Sequence, residues 1–210
     1  MNLGDNFVQE GLANRITPFT TNINEKPLPG MTNFDTEKTY TNVMKRFKYG
    51  GISESGVYVD ETVMRMCYTH RRLFVKLAMN LINQGDKKRA AEVLARAEKE
   101  FPACNVPHDY QSLSIEMAQA YAAIGNKAKA KELIETLWKK SEQYMNYYLS
   151  LDRDKFLTVE RDCQLHMFYI MQSLITVADS IDQKQAQDYT AHLYALLEEY
   201  SSKGGRMPQR

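Results

Sequence analysis

Apolar residues in the middle of the chain recur with the 3.6-residue period of amphipathic helices. Phe74, Leu77 and Leu81 are spaced i, i+3 and i+7, so they form one apolar stripe on a first helix. Gly85 can adopt the left-handed backbone conformation that ends such a helix. A second helical stripe follows, and Pro102 cannot continue it. The pattern therefore predicts a helix, a tight turn, a second helix and a proline stop.

The same pattern recurs 40 residues further along the chain, where Gly125 takes the place of Gly85. Apolar and small residues occupy matching positions in the two copies: Leu77 and Met117, Ala78 and Ala118, Leu81 and Tyr121, Ala90 and Ala130, Leu94 and Ile134, Ala97 and Leu137. This arrangement resembles the tetratricopeptide repeat, whose period is about 34 residues. A longer connection through residues 103–109 fits the excess. We expect an all-α fold in which antiparallel helix pairs form a right-handed stack.

The remaining sequence divides into three parts. Prolines and turn-forming residues predict an extended arm over residues 1–34, helical periodicity predicts a repeat domain over 35–200, and residues 201–210 read as a flexible tail. Outside the two repeats, helices are expected at about 35–49, 141–149, 155–180 and 183–200. The last two form either a degenerate third repeat or a cap on the stack. Apolar residues in the arm predict that it docks on the repeats: Phe7, Val8, Leu12, Ile16 and Phe19.

Composition narrows the function classes. Lys and Arg number 27 against 26 Asp and Glu, and this balance does not favour nucleic acid as a partner. No apolar run approaches the roughly 18 residues of a membrane-spanning helix, and the N-terminus has no signal-peptide pattern. The three cysteines do not define a disulfide framework. The chain is therefore expected to be cytoplasmic or a part of a larger protein.

A series of short motifs resembles a family of Bacteroidetes multi-spanning membrane proteins related to protein O-mannosyltransferases. The motifs are Glu-Gly-Leu-Ala-x-Arg-Ile-x-Pro in the arm, Asp-Thr-Glu-Lys at 35–38, Phe-Lys-Tyr-Gly-Gly at 47–51, Val-Tyr-Val-Asp-Glu-Thr with Met-Arg-Met over 57–66, and Asn-Tyr-Tyr-Leu-Ser-Leu at 146–151. The match covers nearly the whole chain, and the motifs keep their order.

The resemblance implies that this chain is the soluble C-terminal part of a membrane-bound glycosyltransferase, with the chemistry in the membrane portion. No catalytic residue of the family is carried onto this chain, and no cofactor is implied. The expected function is a non-catalytic scaffold that aids presentation of the acceptor protein, on the extracytoplasmic side. Its partners would be the membrane-embedded part of the same polypeptide and an acceptor protein or peptide. The alternative is a free-standing tetratricopeptide adaptor that binds peptides.

In stacked helix pairs, the first helix of each pair lines a concave surface. The matching positions predict a binding surface composed of Arg72, Val75, Met79, Asn83, Ser112, Ile115, Gln119 and Ala123. It mixes apolar and amide groups with one cation. The competing interpretation is that these side chains contact the arm or the terminal helices instead of a ligand.

Tyr144, Tyr147 and Tyr148 form a second candidate site for a sugar or a protein partner, because tyrosine rings stack on sugars. Packing at a helix end is the favoured alternative, since the adjacent Tyr147 and Tyr148 cannot face the same way.

Motifs for chemistry are weak. Two Cys-x-x-His pairs, Cys67 with His70 and Cys163 with His166, are compatible with zinc ligation. Both lie in amphipathic stretches, which favours core packing over a metal site. Asp152-Arg153-Asp154 reads as a helix cap, and nucleophile-elbow and phosphate-loop motifs are missing from the sequence. The sequence therefore predicts no enzyme activity for this chain, and no metal.

Overall fold

Helix dominates the secondary structure. The computed structural model describes residues 6–18 and 33–206, with 71% of the chain in helix and 4% in strand, which confirms the all-α prediction. The chain divides into two compact units, Met1–Pro107 with Gln111–Leu113, and His108–Tyr110 with Ser114–Arg210. Within the described ranges, no helix has both the length and the apolar character that crossing a bilayer requires.

The first unit begins with a small β-hairpin within the predicted arm. Strands β1 (Phe7–Gln9) and β2 (Asn14–Ile16) pair antiparallel, and Gly11 turns between them with φ +100°. Gln9 also bridges Phe34 in parallel. Of the apolar residues expected to dock, Val8 is buried and Phe7 half-buried, whereas Leu12 and Ile16 are exposed and Phe19 lies outside the described residues. The hairpin therefore buries one of its faces rather than all of its apolar side chains.

Helix α1 (Thr36–Thr41) starts at Asp35, whose side chain accepts a hydrogen bond from the Lys38 amide at 2.9 Å. It continues as a π-helical turn over Asn42–Arg46 and then becomes extended. The helix therefore ends before the predicted Tyr49. The Tyr49 ring instead packs on Phe74 and Phe101, with centroids 5.6 and 5.2 Å away, and this packing requires the chain to leave the helix.

A first helix pair consists of α2 (Glu61–Asn83) and α3 (Lys87–Glu100). Asp60 caps α2 by accepting from the Val63 amide at 2.8 Å, and Asp86 caps α3 in the same way. Gly85, with φ +85°, makes the turn between them. The core of this pair is apolar: Phe74, Leu77, Ala78, Leu81, Ala90, Val93, Leu94 and Ala97.

The second unit contains a second helix pair, α4 (Ser114–Ala123) and α5 (Lys127–Ser150), which turn at Gly125 with φ +93°. Residues 141–149, expected as a separate helix, are the last turns of α5, because Ser141, Met145 and Leu149 extend its buried stripe at four-residue intervals.

The chain then forms α6 (Arg153–Gln164), a π-helical segment (Leu165–Met171), α7 (Gln172–Asp179) and α8 (Gln183–Ser202). Helices α7 and α8 make a third helix pair. Helix α7 packs on α8 and also on both helices of the second pair. These bounds agree closely with the helices expected near 155–180 and 183–200.

Residues after α8 return to α6. The Arg206 carbonyl oxygen accepts from the Gln164 side-chain amide at 2.8 Å and from the Tyr200 hydroxyl at 2.7 Å. The Arg206 amide in turn donates to a Glu160 carboxylate oxygen at 2.6 Å. Ser201 and Ser202 are helical, so the described part of the predicted flexible tail is helix followed by a hydrogen-bonded turn. Residues 207–210 lie outside the described residues.

Candidate functional site

A polar cavity of about 320 Å³ opens beside α2 in the first unit. Its helical wall is formed by Arg65, Tyr68, Thr69 and Arg72, which share a face because they are spaced at i, i+3, i+4 and i+7. Gln111, from the loop after α3, completes the lining. The cavity therefore combines two guanidinium groups with hydroxyl and amide groups.

Hydrogen bonds orient the arginines of this cavity. Arg72 donates from Nη2 to the Thr69 hydroxyl at 2.9 Å, and Arg65 pairs with Glu61 one turn earlier on α2. Both pairs are exposed to solvent, so their contribution to folding stability is small. Guanidinium groups present donors in a planar fork that matches a carboxylate or peptide carbonyl oxygens. The arrangement suits binding of a peptide that carries such acceptors.

The loop that supplies Gln111 is held from inside the first unit by Arg71. This arginine is fully buried. Its guanidinium donates to the carbonyl oxygens of Phe101 at 2.8 Å, Val106 at 2.6 Å and Pro107 at 2.9 Å. Arg71 is thus a positioning residue, since it fixes the segment that leads to the cavity.

The sequence analysis overlooked Arg71, although a signal was present. The residue lies between Cys67 and Phe74 at helical spacing, on the buried stripe of α2. An arginine on an apolar stripe must find hydrogen-bond acceptors inside the protein. Carbonyl groups of a long inter-helix loop are one source of them.

Burial divides the predicted concave surface. Val75, Ser112 and Ile115 are buried, so a ligand does not reach these side chains. Met79 is half-buried, and the remaining predicted residues are exposed: Arg72, Asn83, Gln119 and Ala123. Gln119 and Ala123, with Ile115, belong to the second unit, and the other predicted residues belong to the first. Of the predicted set, Arg72 is the residue that lines the polar cavity.

The predicted tyrosines form part of an aromatic cluster in the second unit. Tyr144 stacks on His166, with ring centroids 4.6 Å apart and planes inclined by 29°. Tyr148 and Tyr110 contact the same imidazole at 6.1 and 6.2 Å. We call these four residues the tyrosine–histidine cluster. Tyr147 is 60% exposed and touches Tyr148, so the two adjacent tyrosines face different ways, as their spacing predicts.

His166 is the buried centre of this cluster. Its Nδ1 lies 3.2 Å from the Ser141 hydroxyl, and burial lowers the pKa of the imidazole. Burial also raises the pKa of the Tyr148 phenol. Both groups are therefore neutral near pH 7. Tyr144 is 41% exposed, so the cluster offers a partly open aromatic surface suited to stacking.

The remaining chemical motifs have structural surroundings. The Cys163 thiol lies 3.7 Å from the Met145 sulfur, and burial raises its pKa to about 12. The His70 ring stacks on Phe101, with centroids 5.8 Å apart. In the described part of the chain, no three His, Cys, Asp or Glu side chains are grouped so as to hold a metal ion.

The Asp152-Arg153-Asp154 motif is a helix cap, as the sequence predicts. The Asp152 side chain accepts from the Lys155 amide at 3.0 Å and caps α6. The same carboxylate pairs with the Lys155 ammonium group, which lowers the pKa of Asp152. This carboxylate is therefore ionised and engaged at a helix end.

Comparison of the chain with protein-family models, with curated proteins and with solved structures finds no match. Function is therefore argued from the geometry above and from the resemblance of the motifs.

Proposed function

We propose that this chain is a tetratricopeptide-like, non-catalytic protein-interaction domain. The observation that carries the proposal is the equivalence of the first two helix pairs at an offset of 40 residues. Both turns hydrogen-bond alike: Asp86 N donates to Leu81 O at 2.8 Å, and Asn126 N donates to Tyr121 O at 2.8 Å. Stacked pairs of this kind commonly provide surfaces for other polypeptides.

Burial supports the same equivalence. Each matched position is buried in both pairs, including Leu77 with Met117 and Ala90 with Ala130. The third pair follows the same plan in weaker form, since Asp182 caps α8 as Asn126 caps α5. In the second unit, α7 contacts both helices of the preceding pair, as expected of consecutive repeats in a stack.

The proposed arm is a connector that docks on α1. Val8 and Phe34 are buried, and the Asn42 side-chain amide donates to the Glu10 carbonyl at 2.9 Å. Lys38 also pairs with the Glu10 carboxylate at 2.8 Å. These contacts would fix the repeat domain against a preceding part of the same polypeptide.

The parent protein we propose is a membrane-bound, mannosyltransferase-like glycosyltransferase, with this domain on the extracytoplasmic side. The ordered series of motifs from the arm to residues 146–151 supports this assignment. In that setting, the polar cavity beside α2 would hold a segment of the acceptor protein, with Arg65 and Arg72 donating to its carboxylate or carbonyl oxygens.

Binding experiments test the interaction role. Purified chain is titrated with acidic acceptor peptides and with mannose oligosaccharides, and nitrogen-15 NMR shifts are followed. We expect saturable peptide binding, with shifts around Arg72 and Gln111, that is weakened about tenfold in Arg72→Ala because one charged hydrogen-bonding group is lost. Arg161→Ala, which removes another exposed arginine, is the matched control. Shifts confined to Tyr144 and Tyr147 with oligosaccharide would instead assign the tyrosine–histidine cluster as a sugar site.

The genomic reading frame upstream of the Met1 codon tests the membership of a larger protein. An open frame that encodes several apolar segments of about 18 residues or more agrees with the proposal. A stop codon and a ribosome-binding site directly before Met1 contradict it and favour a free-standing peptide-binding adaptor.

A further inference from the structure

An open groove of about 350 Å³ lies between the third pair's helices in the second unit. One wall is residues 167–176, from the π-helical segment into α7, and the other is Thr190, Leu193, Tyr194 and Leu197 of α8. The described residues that line it carry no charge. We call it the α7–α8 groove. Its surface is mainly aliphatic and aromatic, with hydroxyl and amide groups interspersed.

The α8 wall of this groove has a counterpart in the second helix pair. A shift of 56 residues places Asp182 on Asn126, the two caps, and Ala186 on Ala130. The same shift matches all four α8 residues of the groove with α5 residues: Ile134 with Thr190, Leu137 with Leu193, Trp138 with Tyr194, and Ser141 with Leu197. The groove therefore repeats a defined row of positions on the preceding pair.

On the second pair this row is covered. Ile134, Leu137, Trp138 and Ser141 are each at most 4% exposed. Residues of the following helices provide the cover: the Tyr189 ring lies parallel to Trp138 at 3.9 Å, and His166 contacts the Ser141 hydroxyl. Helix α7 packs against both α4 and α5. A helix is thus the group that completes this surface within the second unit.

On the third pair the same row is open. Tyr194 is 64% exposed, and Thr190, Leu193 and Leu197 are half-buried. A large, mostly apolar side-chain row that is buried in one helix pair and open in the next is a surface suited to further packing. It continues the interface that α7 makes with α4 and α5.

We propose that the α7–α8 groove binds an amphipathic helix of a partner polypeptide, seated as α7 is seated on α4 and α5. The bound face carries uncharged apolar residues at i, i+3 or i+4, and i+7, because a charge buried against this lining would have no partner. Thr176 and Thr190 accept a small polar group at its edge. This site deepens the proposed interaction function and rests on it.

The probe is a synthetic, fluorescein-labelled peptide with the sequence of residues 164–182 and a solubilising lysine tag. It contains the helix that already packs on α4 and α5, so its apolar face has the required spacing. The same peptide with Leu174→Glu is the control, since Leu174 is fully buried in the chain. Binding to the full chain is followed by fluorescence anisotropy, and the site is located by nitrogen-15 NMR shifts.

Two chain variants assign the site. Tyr194→Glu places a charge in the groove at an exposed position, so folding is retained, and we expect peptide affinity to fall about tenfold or more. Ala195→Glu adds the same charge at the neighbouring exposed position outside the groove, and affinity is expected to stay unchanged. The Leu174→Glu peptide is expected not to bind.

Three results overturn the proposal. One is no saturable binding up to millimolar peptide, and another is binding that Tyr194→Glu leaves intact. The third is a dimer of the wild-type chain in sedimentation that Tyr194→Glu abolishes, which would assign the groove to a second copy. Binding of acidic acceptor peptides through Arg72 is measured separately, so failure of the groove is distinguished from failure of the proposed function.

Discussion

The Arg71 guanidinium donates to the Phe101 carbonyl oxygen at 2.8 Å across the interior of the first unit. The two residues are 30 positions apart, and both are buried. The contact ties the first helix of a pair to the point where the second helix ends. The long loop that follows α3 is therefore held by a charged group of α2 rather than by apolar packing alone.

Replacement of Arg71 by alanine is expected to destabilise the chain by roughly 3 kcal/mol or more. The change leaves the carbonyl oxygens of Phe101 and Val106 buried without this donor and opens a cavity. Urea denaturation followed by circular dichroism measures the free energy of unfolding. Arg72→Ala, at the adjacent exposed position, is the control and should change it by no more than about 0.5 kcal/mol. Equal effects of the two substitutions would contradict the role of Arg71.

Stability is expected to fall as the pH drops below about 6.5, the ordinary pKa of histidine. Burial lowers the pKa of His166 and of His70 in the folded chain. Below pH 6.5 the unfolded chain binds protons that the folded chain resists, so stability is lost until the pH passes the lowered folded pKa. Asp109 and Asp162 oppose the shift at His166, while burial and Lys140 favour it.

The measurement is the free energy of unfolding between pH 7.5 and 5, with the slope rather than the absolute value as readout. His166→Asn is expected to reduce the slope by up to about 1.4 kcal/mol per pH unit, and His70→Asn to act likewise. Carboxylates that titrate in the same range do so in both variants. An unchanged slope in His166→Asn would show that this histidine protonates equally in both states.

Gly85→Ala and Gly125→Ala are expected to destabilise the chain by similar amounts, about 1 kcal/mol each. Both glycines have positive φ, and a Cβ at either position would meet no other atom within 4 Å. The penalty is therefore one of backbone conformation, and asparagine, which tolerates this region better, should cost less. Thermal or urea unfolding of the four variants tests this. A large cost at one turn and none at the other would contradict their equivalence.

Thiol labelling is expected to separate the three cysteines into one fast and two slow groups. Cys104 is exposed, whereas Cys67 and Cys163 are buried. Burial raises the pKa of both buried thiols, to about 12 for Cys163, and the thiolate is the reactive form. Native chain should react rapidly with one equivalent of Ellman's reagent, and with the rest on unfolding. Cys104→Ser should abolish the fast phase; a fast phase that survives would contradict the burial of the other two.

Local chemistry made several elements predictable. Asp60 and Gln84 delimit α2 as its capping and periodic pattern indicated. The β-hairpin was not foreseen, because its strands are three residues long and show no sustained alternation. The π-helical turns leave the same apolar spacing as an α-helix to within a residue, so periodicity does not reveal them.

The candidate site was less accessible to such reasoning. Arg72 follows from helical spacing, but Gln111 reaches the cavity through a loop whose path Arg71 sets, and sequence patterns do not reveal that long-range contact. Val75 was assigned to an open surface from its position in the repeat. It is buried because α2 buries most of its circumference, including Leu73 and Phe74 on either side of the predicted stripe.

The position of Cys104 in the loop that Arg71 holds gives the native chain a single accessible attachment point. A fluorescent donor placed there, with an acceptor on a cysteine introduced at exposed Ala195 of α8, would form an energy-transfer ruler that spans both compact units. Because the buried thiols would remain unlabelled, wild-type packing need not be disturbed to build it. The distance distribution between the two dyes would then report directly how the units move while a peptide or helix is bound.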